Sequence, residues 1–282
     1  MKMLVVATYP QDKGPTLLDK ARFSIPEKSV YIGERRLKNA QGITALLGAA
    51  CQAASSDESA EIYALLGGDI GKGDGTRAVY KDFKKAVSQI QPDIIVFHYM
   101  QPIMALMKQA MKDLDELEFE NPLLVADAGG MYAAKAAGVA HRFELMTPDI
   151  GEIGFLAEEN VPHPAYVSHF LFGTEDFEPL AMAQKAYSHN SAARVLLIKG
   201  ATDTIVVEGK LFATLSEPCL PVLEAIGGTG DTLTGLCAGI MLTGVSTADA
   251  ALEACALNRK AGMLAQVNPS KHASDIIAHI SR

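Results

Sequence analysis

Residues 223–235 read L-E-A-I-G-G-T-G-D-T-L-T-G, and this stretch decides how the chain is understood. Gly227, Gly228, Thr229 and Gly230 precede one acid, Asp231, and an apolar run over 233–242 with helical character. Glycines let backbone amides approach a ligand and tolerate positive φ. A helix starting here aims its unpaired N–H groups and the positive end of its dipole into the loop. Such a loop holds phosphate without needing Lys or Arg. An acid repels phosphate, so Asp231 makes better sense as a base that takes a proton from a hydroxyl while the amides steady a transferring phosphoryl group. The same residues would also serve as a plain turn with Asp231 capping the helix.

The chain has 282 residues, a hydrophobic fraction of 49% and no Trp, enough for one α/β domain over 1–282. A net charge of −8 argues against a general nucleic-acid surface, though not against nucleotides held by backbone amides. The four cysteines lack metal-type spacing. Cys237 and Cys255 fall in apolar helical patterns and read as buried free thiols of a reducing cytoplasm. The opening 1–7 reads as a first strand rather than a signal, and no run reaches the roughly 20 apolar residues that span a bilayer.

Apolar runs without alternation predict strands over 4–8, 62–66, 94–97, 123–126, 143–146 and 195–198. Helical patterns lie between them over 40–53, 76–88, 102–114, 131–137 and 177–187. A hairpin over 204–207 and 211–215 and helices over 231–242, 247–266 and 271–280 complete the chain. This alternation predicts a mostly parallel sheet between two helical layers, with ligands beyond the carboxyl ends of the strands. Gly67-Gly68-Asp69, His98, Asp127, Thr147-Pro148 and Lys199-Gly200 all fall at such ends.

G-G-T-G-D-T-L-T-G resembles the anion-hole motif of the ribokinase-like superfamily, most closely that of the NAD(P)H-hydrate dehydratases, with Thr232 in place of the usual valine. Further motifs agree with it. L-M-T-P-D-I-G-E over 145–152 is similar to the family's L-T-P-H-x-G-E, with Asp149 where the family has His. V-L-L-I-K-G-A over 195–201 is similar to V-L-K-G-A, and V-A-D-A-G-G-M over 125–131 to D-A-x-A-L. The resemblance covers about half the chain, from Asp127 to about Gln266.

It implies a ribokinase-like three-layer α/β/α fold and a reaction in which ATP or ADP phosphorylates the hydroxyl of hydrated NAD(P)H. Loss of phosphate then restores the reduced cofactor. Asp231 would be the base, with Gly227, Gly228, Thr229, Gly230 and Lys199 on the phosphates and Asn258 beside the nucleotide. Glu152 would organise Mg²⁺ through water, and Asp127 and Asp149 would face the substrate. Members of the superfamily often self-associate, so a homo-oligomer is implied as well. The dehydratases' early glycine-rich loop is missing here, which keeps a second reading open: an ATP-dependent kinase of a sugar or vitamin-precursor alcohol.

Residue-level alternatives remain at several of these positions. Thr147 can cap a helix with Pro148 at its first position, and Asp127 can cap a helix or bond a substrate hydroxyl. L-L-G-G-D-I-G-K-G-D-G-T-R over 65–77 reads as a mobile surface loop, as a second anion site with Thr76 as N-cap and Arg77 on a phosphate, or, the preferred reading, as a lid or wall of the substrate pocket with Gly68 and Asp69 facing the substrate. His98 reads equally as a core or a site residue.

Overall fold

A computed structural model describes residues 1–12, 14–37, 41–160 and 178–282. The predicted helix starts at residues 40 and 177 lie outside the described residues. Strand β1 (Lys2–Tyr9) sits centrally, paired in parallel with β5 (Glu61–Gly68) and with β6 (Ile94–His98). Next to β6 come β7 (Leu123–Ala126), β8 (Leu145–Met146) and β9 (Val195–Ile198), all parallel. The hairpin β10 (Asp203–Val207) and β11 (Lys210–Leu215) closes that edge in antiparallel register. At the other edge β2 (Leu17–Ser24) runs antiparallel to β5 and continues into β3 (Ser29–Ile32) and β4 (Arg35–Leu37).

The central strands are buried on both faces because alternate side chains feed two cores. Met3, Val5 and Ala7 join the core beneath α1 (Ile43–Ala53), α7 (Thr229–Met241), α8 (Thr247–Leu264) and α9 (Ala273–Ile277). Leu4 and Val6 join the opposite core, beneath α2 (Asp74–Ile90), α3 (Met104–Asp115), α4 (Ala128–Ala136) and α6 (Pro179–Ser188). The short α5 (Ile150–Ala157) adds Phe155 and Leu156 to this second core. Three layers result, as expected from the uninterrupted apolar strands. Among the described residues no helix is long and apolar enough to cross a membrane.

Several local expectations are corrected. The polar segment 17–37 carries three strands that the sequence reading left out. The helix after β5 starts at Asp74 with Gly73 as N-cap, whereas Thr76 is buried and its Oγ1 accepts the Gln101 N–H. The helix after β8 is capped by Asp149 rather than Thr147: Asp149 accepts from the Glu152 N–H, and Glu152 accepts from the Asp149 N–H. This reciprocal capping box satisfies two orphan donors at once and outcompetes a Thr cap placed before a proline.

The site's rigidity originates where α7 crosses α1. A Cβ on Gly235 would lie 2.1 Å from the Leu46 carbonyl oxygen, so the two backbones touch directly there. Gly235→Ala should therefore destabilise the protein by on the order of 3 kcal/mol, the upper part of the range for overpacking. Urea unfolding checks this. An unchanged midpoint would mean that α7 slides away from α1 without cost.

Candidate active site

Six parallel strand ends deliver side chains to one rim of the sheet, and α7 enters beside them. Gly228 is the N-cap of α7 at φ 96°, a conformation that strains any side-chain-bearing residue. The first intrahelical bond runs from the Thr232 N–H to the Gly228 carbonyl (2.9 Å), leaving the amides of Thr229, Gly230 and Asp231 ahead of it. Thr232, the departure from the family's valine, is fully buried and donates its hydroxyl to the same carbonyl at 2.8 Å. The substitution is thus absorbed within the helix.

Asp231 is nearly buried at the third residue of α7. Its Oδ2 accepts the Gly42 N–H at 3.1 Å, and its Oδ1 lies 3.0 Å from His98 Nε2. His98, at the end of β6, is completely buried and stacks on Tyr99 with ring centroids 4.3 Å apart. Tyr99 itself is 45% exposed and holds φ 41°, and Ala128, after β7, holds φ 47°. Two left-handed non-glycine residues at adjacent strand ends mark stored strain of the kind found at functional sites.

Lys199 Nζ lies 2.9 Å from Asp127 Oδ1, a pair taken almost wholly out of water. Asp127 Oδ1 also accepts the Ala128 N–H, so this residue caps α4 while pairing with the lysine. Its Oδ2 accepts the Thr234 hydroxyl at 2.7 Å, and Thr234 in turn lies 2.8 Å from the Thr147 hydroxyl. Burial alone would raise the Asp127 carboxyl, but Lys199, His98 and Thr234 together hold it below its ordinary value. For Lys199, burial alone would depress the ammonium, and the carboxylates of Asp127, Glu152 and Asp231 outweigh that and raise it. Glu152 accepts the Tyr132 hydroxyl at 2.7 Å. Burial pushes its carboxyl up to about 7 against the pull of Lys199, with Asp127 and Asp149 adding to the rise.

These groups border a cavity of about 540 Å³ that runs from Asp231 and Gly228–Gly230, past Lys199, Asp149 and Glu152, to Leu220, Leu223 and Asn258. Gly230 lies directly beside the lysine, since a Cβ there would sit in ordinary contact 3.5 Å from Lys199 Nζ. At the far end Asn258 is buried and its Oδ1 has no partner among the described residues. Arg259 braces that end: it pairs with Asp203 and donates to the carbonyls of Gly200, Ala201 and Ser216.

Asp231, Gly228, Thr229, Gly230, Lys199, Asp127, Asp149, Glu152 and Asn258 are therefore brought to one cavity, as expected. Gly227 instead packs on the Gln41 side chain. Gly68 and Asp69 do not line this cavity. The second anion site is corrected outright: the Asp69 carboxylate accepts the amides of Gly71, Lys72, Gly73 and Thr76, so the chain's own anion fills the nest. Arg77 Nη1 lies near Asp74 and the Lys72 carbonyl. His98, one of the strand-end residues, is brought beside Asp231, while Gly42, Thr234 and Arg259 are site neighbours that the sequence does not single out for this place; the "T-L-T-G" that carries Thr234 is the available signal.

The cavity suits a cation. Asp127, Asp149, Glu152 and Asp231 face one ammonium, Lys199, and this acid surplus raises Glu152. A hard divalent ion shared with phosphates relieves such a surplus, because Mg²⁺ needs only one or two carboxylates plus phosphate and water. Although His98, Asp127 and Asp231 bring ligand atoms within 4.8 Å of one another, Lys199, Thr234 and Gly42 already bond the two carboxylates.

Comparison with known proteins places this geometry. Residues 105–282 match the family described as NAD(P)H-hydrate dehydratase. A Methanocaldococcus jannaschii protein of uncharacterised function is 35% identical over 237 residues, covering 84% of this chain and 97% of that protein. Among solved structures, the Staphylococcus aureus pyridoxal kinase in complex with AMP-PCP and pyridoxal superposes with a TM-score of 0.56 at 15% identity, covering 92% of this chain and 87% of that one. A ribokinase-like superfamily protein of Enterococcus faecalis gives a TM-score of 0.57 at 14% identity, covering 99% and 84%. The fold is ribokinase-like.

Proposed function

The chain belongs to the family described as NAD(P)H-hydrate dehydratase, and from that premise we propose that it transfers the terminal phosphoryl group of ATP or ADP to a hydroxyl deprotonated by Asp231. One observation carries the reading. A carboxylate sits at the third residue of a helix whose first amides are free, with a buried ammonium beside them and a cavity running away from both. A site built only to bind phosphate gains nothing from an acid at that point.

In this mechanism the acceptor O–H gives its proton to Asp231 while its oxygen attacks the terminal phosphorus. The bond to the bridging oxygen breaks, and the shortened nucleotide leaves. The Gly42 N–H fixes the orientation of Asp231, and the His98 ring lies against its other oxygen. The amides of Thr229 and Gly230 and the Lys199 ammonium stabilise charge on the transferring group. Mg²⁺, held by Glu152 and Asp149 through water, would neutralise the nucleotide phosphates when bound. Asn258 and Leu223 line the place for the base.

For the acceptor, the family points to hydrated NAD(P)H, from which loss of the new phosphate restores the nicotinamide. A second reading, a kinase that stops after transfer, is favoured by Asp149, whose carboxylate caps α5 where the family has a histidine, and by the three-stranded flap β2–β4. The test is incubation with hydrated NADH, Mg²⁺ and either ATP or ADP while following reduced-nicotinamide absorbance. Recovery that needs nucleotide supports the dehydratase and names the donor. Nucleotide binding without recovery sinks it in favour of the kinase.

A further inference from the structure

A second cavity, of about 480 Å³, opens between the end of β1 and strand β4. Tyr9, Gln11, Arg35 and Thr44 contribute to its wall. Its electrostatics are one-sided. Arg35 donates from Nη2 to Gln11 Oε1 and lies 5.4 Å from the centroid of the Tyr9 ring, and it has no carboxylate partner among the described residues. In a chain with a net charge of −8, a half-buried arginine without an acid is an unspent cation. Neighbouring charges do not answer it: Asp12 pairs with Lys72, and Arg36 is tied to Ser29 and the Glu27 carbonyl.

Two further features have the same polarity. The Tyr9 phenol is buried, with the residue 7% exposed, and its hydroxyl has no hydrogen-bond partner among the described residues. A buried hydroxyl without a partner is costly unless a ligand supplies one. Helix α1, 11 residues long, begins at this wall with neither a side-chain cap nor an acid in its first turn. The Asp231 carboxylate, which accepts the Gly42 N–H, faces that positive end from the side of the reaction centre.

The cavity also lies near the reaction centre. Gly42, the N-cap of α1, gives its N–H to Asp231, and Thr44, two residues further on, lines the second cavity. Two residues of helix rise about 3 Å. The start of α1 thus stands between this cavity and Asp231.

We propose that this cavity holds an anionic group, phosphoester or carboxylate, of the acceptor alcohol, with the Arg35 guanidinium and the Tyr9 hydroxyl as its donors. The proposal rests on the reading of Asp231 as the phosphoryl-transfer base and narrows it, because neutral free sugars and neutral vitamin alcohols are then poor acceptors. An arginine fork is the group suited to either oxyanion.

Calorimetric titration of inorganic phosphate tests it, first on the free protein and then with a non-hydrolysable ATP analogue and Mg²⁺ already saturating the nucleotide cavity. Phosphate should still bind the loaded protein. Arg35→Gln should weaken that binding at least about tenfold, the effect of losing charge-assisted bonds. Tyr9→Phe should weaken it less, and Lys108→Gln, at an exposed residue of α3 that does not line the cavity, should leave it unchanged. Should Arg35→Gln fail to fold, Arg35→Lys keeps the charge, loses the fork and should fall between wild type and Gln. Glycerol 3-phosphate, glycerate and glycerol then separate phosphoester from carboxylate recognition, with glycerol expected not to bind. No phosphate binding to the loaded wild type, or equal binding by Arg35→Gln, overturns the proposal. Failure of the analogue itself to bind would instead overturn the nucleotide reading, while the titration of the free protein still reports on Arg35.

Discussion

Asp231→Asn should lower turnover by on the order of 10³-fold while leaving nucleotide affinity within a few-fold. The substitution keeps the size of the side chain and an oxygen for the Gly42 N–H, so the start of α7 is preserved. What it removes is a basic oxygen, and a positioned general base contributes roughly 10²–10⁴ in rate, or about 3–5 kcal/mol of barrier. Nucleotide phosphates contact amides and Lys199 in the proposed mechanism, none of which the change touches. Steady-state rates together with a direct nucleotide titration separate the two effects. A collapse of nucleotide affinity with turnover would make Asp231 a structural cap, whereas residual activity near wild type would move the base elsewhere.

The sequence reveals Asp231 because its surroundings are local: glycines, acid and helix follow one another within a few residues. The same holds for the parallel strands, whose uninterrupted apolar runs reflect burial on both faces. The flap β2–β4 escapes because L-L-D-K-A-R-F-S and its neighbours are charged edge strands only partly covered by core, and short strands of this kind lack a hydrophobic signature. The partners of Asp231 are hidden for another reason, Gly42 wholly and His98 because it reads equally as a core or a site residue. They meet Asp231 across more than a hundred residues of chain, and only the order of the strands brings them there. At Asp69 the sequence shows a nest of amides correctly but cannot tell which anion fills it. The fold supplies an internal one.

Lys199→Met should weaken nucleotide binding by on the order of 10- to 100-fold, the loss of one charged donor to phosphate. It should also reshape the dependence of stability on pH. In the wild type the folded Asp127 carboxyl lies below its unfolded value of about 3.9. Its contribution is therefore present above that value and lost as pH falls through the folded one. Without the ammonium only His98 and the Thr234 hydroxyl still oppose burial, so the folded value rises and this contribution near neutral pH shrinks. Glu152, already pushed up to about 7, loses the pull of Lys199 and moves in the same direction. A buried carboxylate stripped of its partner costs roughly 3–5 kcal/mol when it must stay ionised, and less when it can take a proton. The difference in urea midpoint between wild type and variant should accordingly be wide near pH 8 and shrink by more than half near pH 5. An equal difference at both pH values would show that Lys199 supports the fold through packing of its methylene chain, and that the Asp127 pair is not what holds the strand ends together.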